Sequence, residues 1–225
     1  MDTADSYGPF IAEELIARAL YPYQKELLIA TKGGLTRHGP GRWVPCGHPA
    51  YLRQCVEMSL RRLKSDCIDL YYLHRVDPII PMCEQVGVFV DLIREGKIRS
   101  FGLSKVDIDT IDKVKDMIQI SAIQNKLNIN DYVESDAVLK WCETTGTPFV
   151  SYAPLDAGNV LCGRTDLAEL ARQLGISPAQ IALGWLLQRS PSILTIPGTQ
   201  QAAHVIENIA AINLLGHSFM KDITL

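Results

Sequence analysis

Ile68-Asp69-Leu70-Tyr71-Tyr72-Leu73 is a near-continuous run of branched and aromatic residues that closes on His74. Five further runs of this kind occur, at Glu26–Thr31, Ile98–Gly102, Ile120–Gln124, Phe149–Tyr152 and Ser192–Ile196. A strand that is apolar at almost every position is buried on both faces, the condition of a parallel strand covered by helices. Between the runs, apolar residues fall at helical spacing. Leu52, Cys55, Val56, Ser59, Leu60 and Leu63 share one face, and Ile108, Ile111, Val114 and Ile118 share another. Pro49 opens the first of these helices and Asp107 stands as the N-cap of the second. Ser177-Pro178-Ala179-Gln180 reads as a capping box with proline in the first turn. A last helix is expected from about Gln201 to Ile212, burying Val205, Ile206 and Ile209.

Strand–helix alternation along the whole chain, with parallel strands, leaves a doubly wound open sheet or a (β/α)8 barrel. A doubly wound nucleotide-binding sheet carries a Gly-rich turn after its first strand, and neither G-x-G-x-x-G nor G-x-x-x-x-G-K-[ST] occurs here. The α/β (TIM-type) barrel is therefore expected, as a single domain over residues 1–225 with no linker or repeat dividing it.

Composition agrees with an ordinary globular chain. Of 225 residues, 47% are hydrophobic and 21% charged, which excludes a disordered tail, a collagen and a coiled coil. A net charge of −3 shows no footprint for nucleic acid. The longest apolar stretches, Val86–Ile93 and Ile181–Leu187, are far shorter than a membrane span, and the opening Met1-Asp2-Thr3-Ala4-Asp5-Ser6-Tyr7-Gly8 has no signal-peptide character. A cytoplasmic location with no membrane association is the expectation. The six cysteines are scattered, without Cys-x-x-Cys or zinc spacing, so they read as reduced thiols and no metal is expected.

A barrel builds its site from the residues where strands end. Those residues are polar here. Lys32, His74, Ser104 with Lys105, Gln124 with Asn125, and Tyr152 end successive strands, and Gly198-Thr199 follows the last; Asp2 and Tyr7 precede them all. A lone histidine or lysine at a strand end is ordinarily structural; the recurrence at six strands is what points to a site. Tyr, Lys, His and Asp together suit proton donation to a carbonyl oxygen. A phenol, with an ordinary pKa of about 10, is a poor acid at neutral pH unless a neighbour favours its ionised form. An ammonium does that, a carboxylate fixes the ammonium, and a neutral imidazole bonds the developing oxyanion. A hydride source is lacking and falls to a cofactor.

Asp2-Thr3-Ala4-Asp5-Ser6-Tyr7-Gly8, Ala30-Thr31-Lys32-Gly33-Gly34, Leu70-Tyr71-Tyr72-Leu73-His74, Gly102-Leu103-Ser104, Gln124-Asn125, Tyr152-Ala153-Pro154-Leu155 and Ile196-Pro197-Gly198-Thr199 through Glu207-Asn208 resemble the aldo-keto reductases, in family order and over nearly the whole chain. The resemblance implies a (β/α)8 barrel that reduces aldehydes and ketones with NADPH, without metal. It implies Tyr7 as general acid, Lys32 as the cation favouring its phenolate form, Asp2 as the carboxylate pairing with Lys32, and His74 as the substrate-orienting imidazole. Ser104 and Gln124 resemble the groups bonding the nicotinamide carboxamide, and Tyr152 the aromatic on which the ring stacks. Pro154, Leu155, Gly198, Thr199, Gln200, His204, Glu207 and Asn208 resemble the rest of the cofactor site, where a helix N-terminus also favours phosphate.

The sequence departs from the family pattern in several places. A strand–helix unit precedes the Asp2 motif in the family and a long C-terminal loop follows the last helix, so a truncated barrel is expected. Lys105 stands where the family has Asn. Gln200 and Gln201 follow Gly198-Thr199 and His204 replaces an Arg, so basic side chains facing a 2′-phosphate are missing, and NAD(H) is possible beside NADP(H). The Gly/Pro-rich stretch Gly33–His48 reads as a long loop, with Trp43 either a wall of the substrate site or packed on a neighbouring helix. The expected partner is a small-molecule carbonyl substrate, and the expected state a monomer or weak homo-oligomer. The rival reading is a non-catalytic regulatory or cofactor-sensing barrel, or an inactive reductase fragment. A metal-dependent hydrolase is discounted, since only His74 among strand-end residues is a metal ligand type.

Overall fold

A computed structural model describes residues 1–216. The chain divides into two compact units, Met1–Ile123 and Gln124–Leu225.

The first unit contains α1 (Ile11–Leu20), β1 (Ala30–Gly33), β2 (Leu35–Gly39), β3 (Arg42–Pro45), α2 (Pro49–Leu63), β4 (Ile68–Leu73), α3 (Met82–Arg94), β5 (Ile98–Ser104) and α4 (Ile108–Val114). Strand β4 lies between β1 and β5 and pairs in parallel with both, Lys32 opposite Tyr72 and Tyr72 opposite Gly102. The helical face expected from Leu52 to Leu63 is buried at all six positions. Pro49 sits in the first turn of α2, and the Asp107 carboxylate accepts from the Thr110 amide at 2.8 Å, as an N-cap should. Beneath the sheet, Tyr71, Phe89 and Phe101 stack in sequence, with ring centroids 6.0 and 4.8 Å apart.

The start of the sheet and the stretch after it differ from the sequence expectation. The first strand runs Ala30–Gly33 rather than Glu26–Thr31. Leu28 is 52% exposed, so the apolar run Leu27–Ile29 leads into the sheet without being a strand itself. Residues 35–45 form an antiparallel hairpin where a loop was expected, with Arg37 opposite Trp43 and the turn made at Pro40-Gly41. Gly41 takes φ 68° there, a conformation glycine adopts without penalty.

Strand β6 (Ile120–Lys126) spans the division in sequence. The second unit continues with α5 (Asp136–Thr145), β7 (Phe149–Tyr152), a 3-10 segment Asp156–Leu161, α6 (Thr165–Leu174), α7 (Pro178–Arg189), β8 (Ile193–Thr195) and α8 (Ala202–Ala210). Strands β7 and β8 pair in parallel. The capping box on α7 forms, Ser177 Oγ accepting from the Gln180 amide while the Gln180 side chain accepts from the Ser177 amide. The expected burial of Val205, Ile206 and Ile209 is not found: they are 46%, 71% and 67% exposed. No residue of α8 is buried; His204, Glu207 and Asn208 instead line a cleft with the loops after β7 and β8. Among the described residues no helix is long and apolar enough to cross a membrane. The cysteines are free thiols, with Cys55 and Cys142 buried as small apolar groups.

Candidate active site

The four residues expected to carry the chemistry come together in the first unit. Residues 1–5 run alongside β1. The Ala30 amide donates to the Met1 carbonyl, the Thr3 amide to the Ala30 carbonyl and the Asp5 amide to the Lys32 carbonyl, at 2.8, 2.9 and 3.1 Å. This ladder sets Asp2 next to Lys32. The Lys32 ammonium, with no exposed surface, donates to Asp2 Oδ1 and to the Thr3 carbonyl, each at 2.6 Å. An unpaired buried ammonium would cost several kcal/mol, so Asp2 and the Thr3 carbonyl are what permit Lys32 to remain there. Its Nζ lies 5.1 Å from the centroid of the Tyr7 ring. Tyr7 is 37% exposed, whereas Lys32 beside its ring has no exposed surface.

His74 completes the group. Its amide donates to the Gly33 carbonyl at 2.8 Å, continuing the β1–β4 pairing, and its ring sits edge-on to Tyr7 at 5.8 Å. Burial, and then the Lys32 and Arg75 charges, push its imidazole down to about 2, so it is neutral at any working pH. The Ser6 hydroxyl is 3.5 Å from Nδ1. With that hydroxyl donating to Nδ1, the proton resides on Nε2 and is available to an incoming oxygen. Trp43, on the hairpin, stands edge-on to both rings at 6.4 Å from Tyr7 and 6.5 Å from His74, and is 39% exposed.

Behind these residues lies a charged network that sequence reasoning missed. Glu13 of α1 has no exposed surface; it accepts from Thr31 Oγ1 and from Arg62 Nε, both at 2.6 Å. It thereby ties the residue before Lys32 to α1 and α2. The partners lie 18 and 49 positions apart in sequence, which is why no local pattern announced them. Gly33, directly after Lys32, permits the packing on this side. A Cβ there would lie 2.3 Å from Tyr71 Oη and 2.7 Å from Cys55 Cβ.

Asp5 is buried beside this network, and burial followed by repulsion from Glu13 raises its carboxyl to about 7. An acid whose folded pKa exceeds its unfolded value withdraws stability as pH climbs between the two, here from about 4 to about 7. Asp5→Asn removes that loss. The variant's melting temperature relative to wild type is therefore expected to be higher at pH 8 than at pH 5, and an equal difference at both values would contradict it. Comparing the two proteins at each pH cancels the opposite contribution of His74, whose depressed pKa costs stability as pH falls below about 6.5.

The second unit holds a cleft of about 480 Å³, within the range of small-molecule sites. Pro154, Leu155, Gly198, Thr199, His204, Glu207 and Asn208, all expected to hold cofactor, line it. Thr199 organises one wall: its hydroxyl accepts from the Gln201 amide at 3.1 Å and lies 3.3 Å from His204 Nδ1, at the start of α8. Gln200 is exposed and outside the lining; Gln124 and Tyr152 are in the same unit, Gln124 buried within β6, which runs on to Lys126 instead of ending at Gln124 as expected. Ser104 is buried in the first unit, where Arg75 donates to its hydroxyl at 3.1 Å. Lys105 is exposed and adopts φ 54°, a left-handed conformation that Asn tolerates more readily than Lys. The cleft also uses Asp156, Ser177 and Pro178, which sequence reasoning did not assign to it.

A sequence model of the Aldo/keto reductase family matches residues 1–224. The chain belongs to that family. It is accordingly an NAD(P)H-dependent oxidoreductase whose fold class is the (β/α)8 barrel. An uncharacterized oxidoreductase of Schizosaccharomyces pombe is 45% identical over 223 residues, covering 98% of this chain and 72% of its own length. Pyridoxine 4-dehydrogenase of Escherichia coli is 36% identical, over 95% of this chain and 76% of its own. An aldo-keto reductase of Klebsiella pneumoniae, solved with NADPH, matches with a TM-score of 0.84 at 27% identity, over 98% of this chain and 76% of that one.

Proposed function

We propose that this aldo/keto reductase converts an aldehyde or ketone to the alcohol with Tyr7 as general acid, Asp2, Lys32 and His74 as its supporting residues, and NADP(H) or NAD(H) held by the residues named above. The observation that carries the reading is the sealed Lys32–Asp2 pair beside a half-open tyrosine, with a neutral histidine at the tyrosine's edge. When bound, the nicotinamide supplies a hydride to the carbonyl carbon. The chain handles the proton. Tyr7 donates its hydroxyl proton to the carbonyl oxygen, and the nearby ammonium of Lys32 stabilises the phenolate left behind. Asp2 keeps that ammonium in place, and His74 Nε2–H bonds the same substrate oxygen as its charge grows.

The cleft suits a nucleotide: it joins apolar walls at Pro154 and Leu155 to the N-terminal turn of α8, whose amides favour phosphate. Its lining contains Asp156 and Glu207 but neither Lys nor Arg. No fixed cation therefore favours the 2′-phosphate, and we expect NADPH and NADH to bind within about tenfold of each other, or about 1.4 kcal/mol. Parallel fluorescence titrations check this; a preference for NADPH above about a hundredfold would contradict it. The two compact units are read as one catalytic domain, working as a monomer or weak homo-oligomer in the cytoplasm on a small carbonyl compound. Aldehyde-dependent oxidation of NADPH, matched mole for mole by alcohol, is the test of the activity; its absence across aromatic and aliphatic aldehydes would count against the reading.

A further inference from the structure

We propose that Arg37 receives a carboxylate on the substrate, so that this enzyme favours planar carbonyl compounds carrying an anionic oxygen across the ring from the reacting group. This rests on the carbonyl-reductase reading above and adds the substrate class.

Arg37 and Trp43 are directly paired across the β2–β3 hairpin, so their side chains leave the same face. The guanidinium carbon lies 4.4 Å from the Trp43 ring centroid, a cation–π stack that fixes the plane of the fork. One nitrogen, Nη1, donates to the Ser6 carbonyl at 3.0 Å. Ser6 is the residue before Tyr7, and its hydroxyl faces His74. The cation is thus anchored at two points to the wall that carries the reaction centre, and Trp43 spans the interval, its ring standing 6.4 Å from that of Tyr7.

Arg37 is half-buried, yet among the described residues it has no carboxylate partner and no other hydrogen bond. Guanidinium groups so placed present the remaining fork to a bidentate anion. Lys32, the cation beside the Tyr7 ring, is already paired with Asp2, and Arg75 is engaged by the His74 carbonyl and the Ser104 hydroxyl, so an incoming anion is left to meet Arg37. A flat indole beside it suits an aromatic or conjugated body. A purely structural Arg37, stapling the hairpin to Ser6, would hold Trp43 equally for neutral and anionic substrates.

The test compares 4-carboxybenzaldehyde with its neutral methyl ester, methyl 4-formylbenzoate, as the ratio of their kcat/KM values. Wild type is expected to favour the acid at least tenfold. Arg37→Met is expected to lower that ratio at least tenfold, and Arg37→Lys to restore part of it as a point charge without the fork. An unchanged ratio in Arg37→Met would overturn the proposal, whatever happens to the absolute rates. Terephthalate, which has no reducible carbonyl, supplies a readout independent of turnover. Its binding, followed by tryptophan fluorescence, is expected to weaken at least tenfold in Arg37→Met, and equal binding would also overturn the site. Terephthalate binding that depends on Arg37, in a protein that turns over neither aldehyde, would keep the anion site and sink the reductase reading instead.

Discussion

Replacing Tyr7 with Phe is expected to reduce turnover by about 10²- to 10⁴-fold, the contribution typical of a positioned proton donor. The ring that contacts Trp43 and His74 stays, as does the face presented to Lys32, so the loss isolates the hydroxyl. Tyr7 is not among the residues lining the cleft, so the dissociation constant for NADPH is expected to stay within about twofold, which corresponds to less than 1 kcal/mol. Steady-state rates and a fluorescence titration on the same preparation separate these effects. Turnover within tenfold of wild type would remove Tyr7 from the role of acid.

Replacing Glu13 with Ala is expected to cost about 3–5 kcal/mol of stability, the usual consequence of removing one partner from a buried ion pair. Arg62, whose side chain is only 13% exposed, would keep its charge without a carboxylate, and Thr31 Oγ1 would lose its acceptor. Pairing the change with Arg62→Met is expected to recover much of the loss, because both charges then leave together. Denaturant midpoints of the two variants measure the difference. A cost below about 1 kcal/mol for Glu13→Ala, the level of an exposed pair, would show that the network is not what braces β1.

Tyr7 and Glu13 differ widely in how legible they are in the sequence. Tyr7, Lys32 and His74 announce themselves locally, as polar residues at or before the ends of apolar strands. The strand runs that locate them were readable where the apolar run and the strand coincide: Ile68–Leu73 and Phe149–Tyr152 are strands with the bounds expected from the sequence. At Ala30–Gly33 they did not coincide, because residues 1–5 pair alongside β1 at Ala30 and Lys32, while Leu28 stays exposed.

Glu13, Arg62 and Asp5 form contacts between residues far apart in sequence, and a glutamate on an amphipathic helix looks like any solvated one. Arg37 was hidden for another reason. Its glycine- and proline-rich surroundings suggest a loop, whereas a Pro-Gly turn is compatible with a hairpin that sets it opposite Trp43. The apolar residues of α8 misled in the opposite direction, since the helix buries none of its residues and lines the cleft with the polar His204, Glu207 and Asn208.

The central claim is hydride delivery to a carbonyl carbon with a proton delivered by the chain. It is tested most directly by incubating the protein with NADPH carrying deuterium at the transferred C4 position and with 4-carboxybenzaldehyde, then analysing the product by mass spectrometry and NMR. One deuterium on the carbinol carbon of 4-carboxybenzyl alcohol, absent with Tyr7→Phe over the same interval, is the predicted result. Unreacted aldehyde with either deuterated NADPH or deuterated NADH, or an alcohol without deuterium, would contradict it.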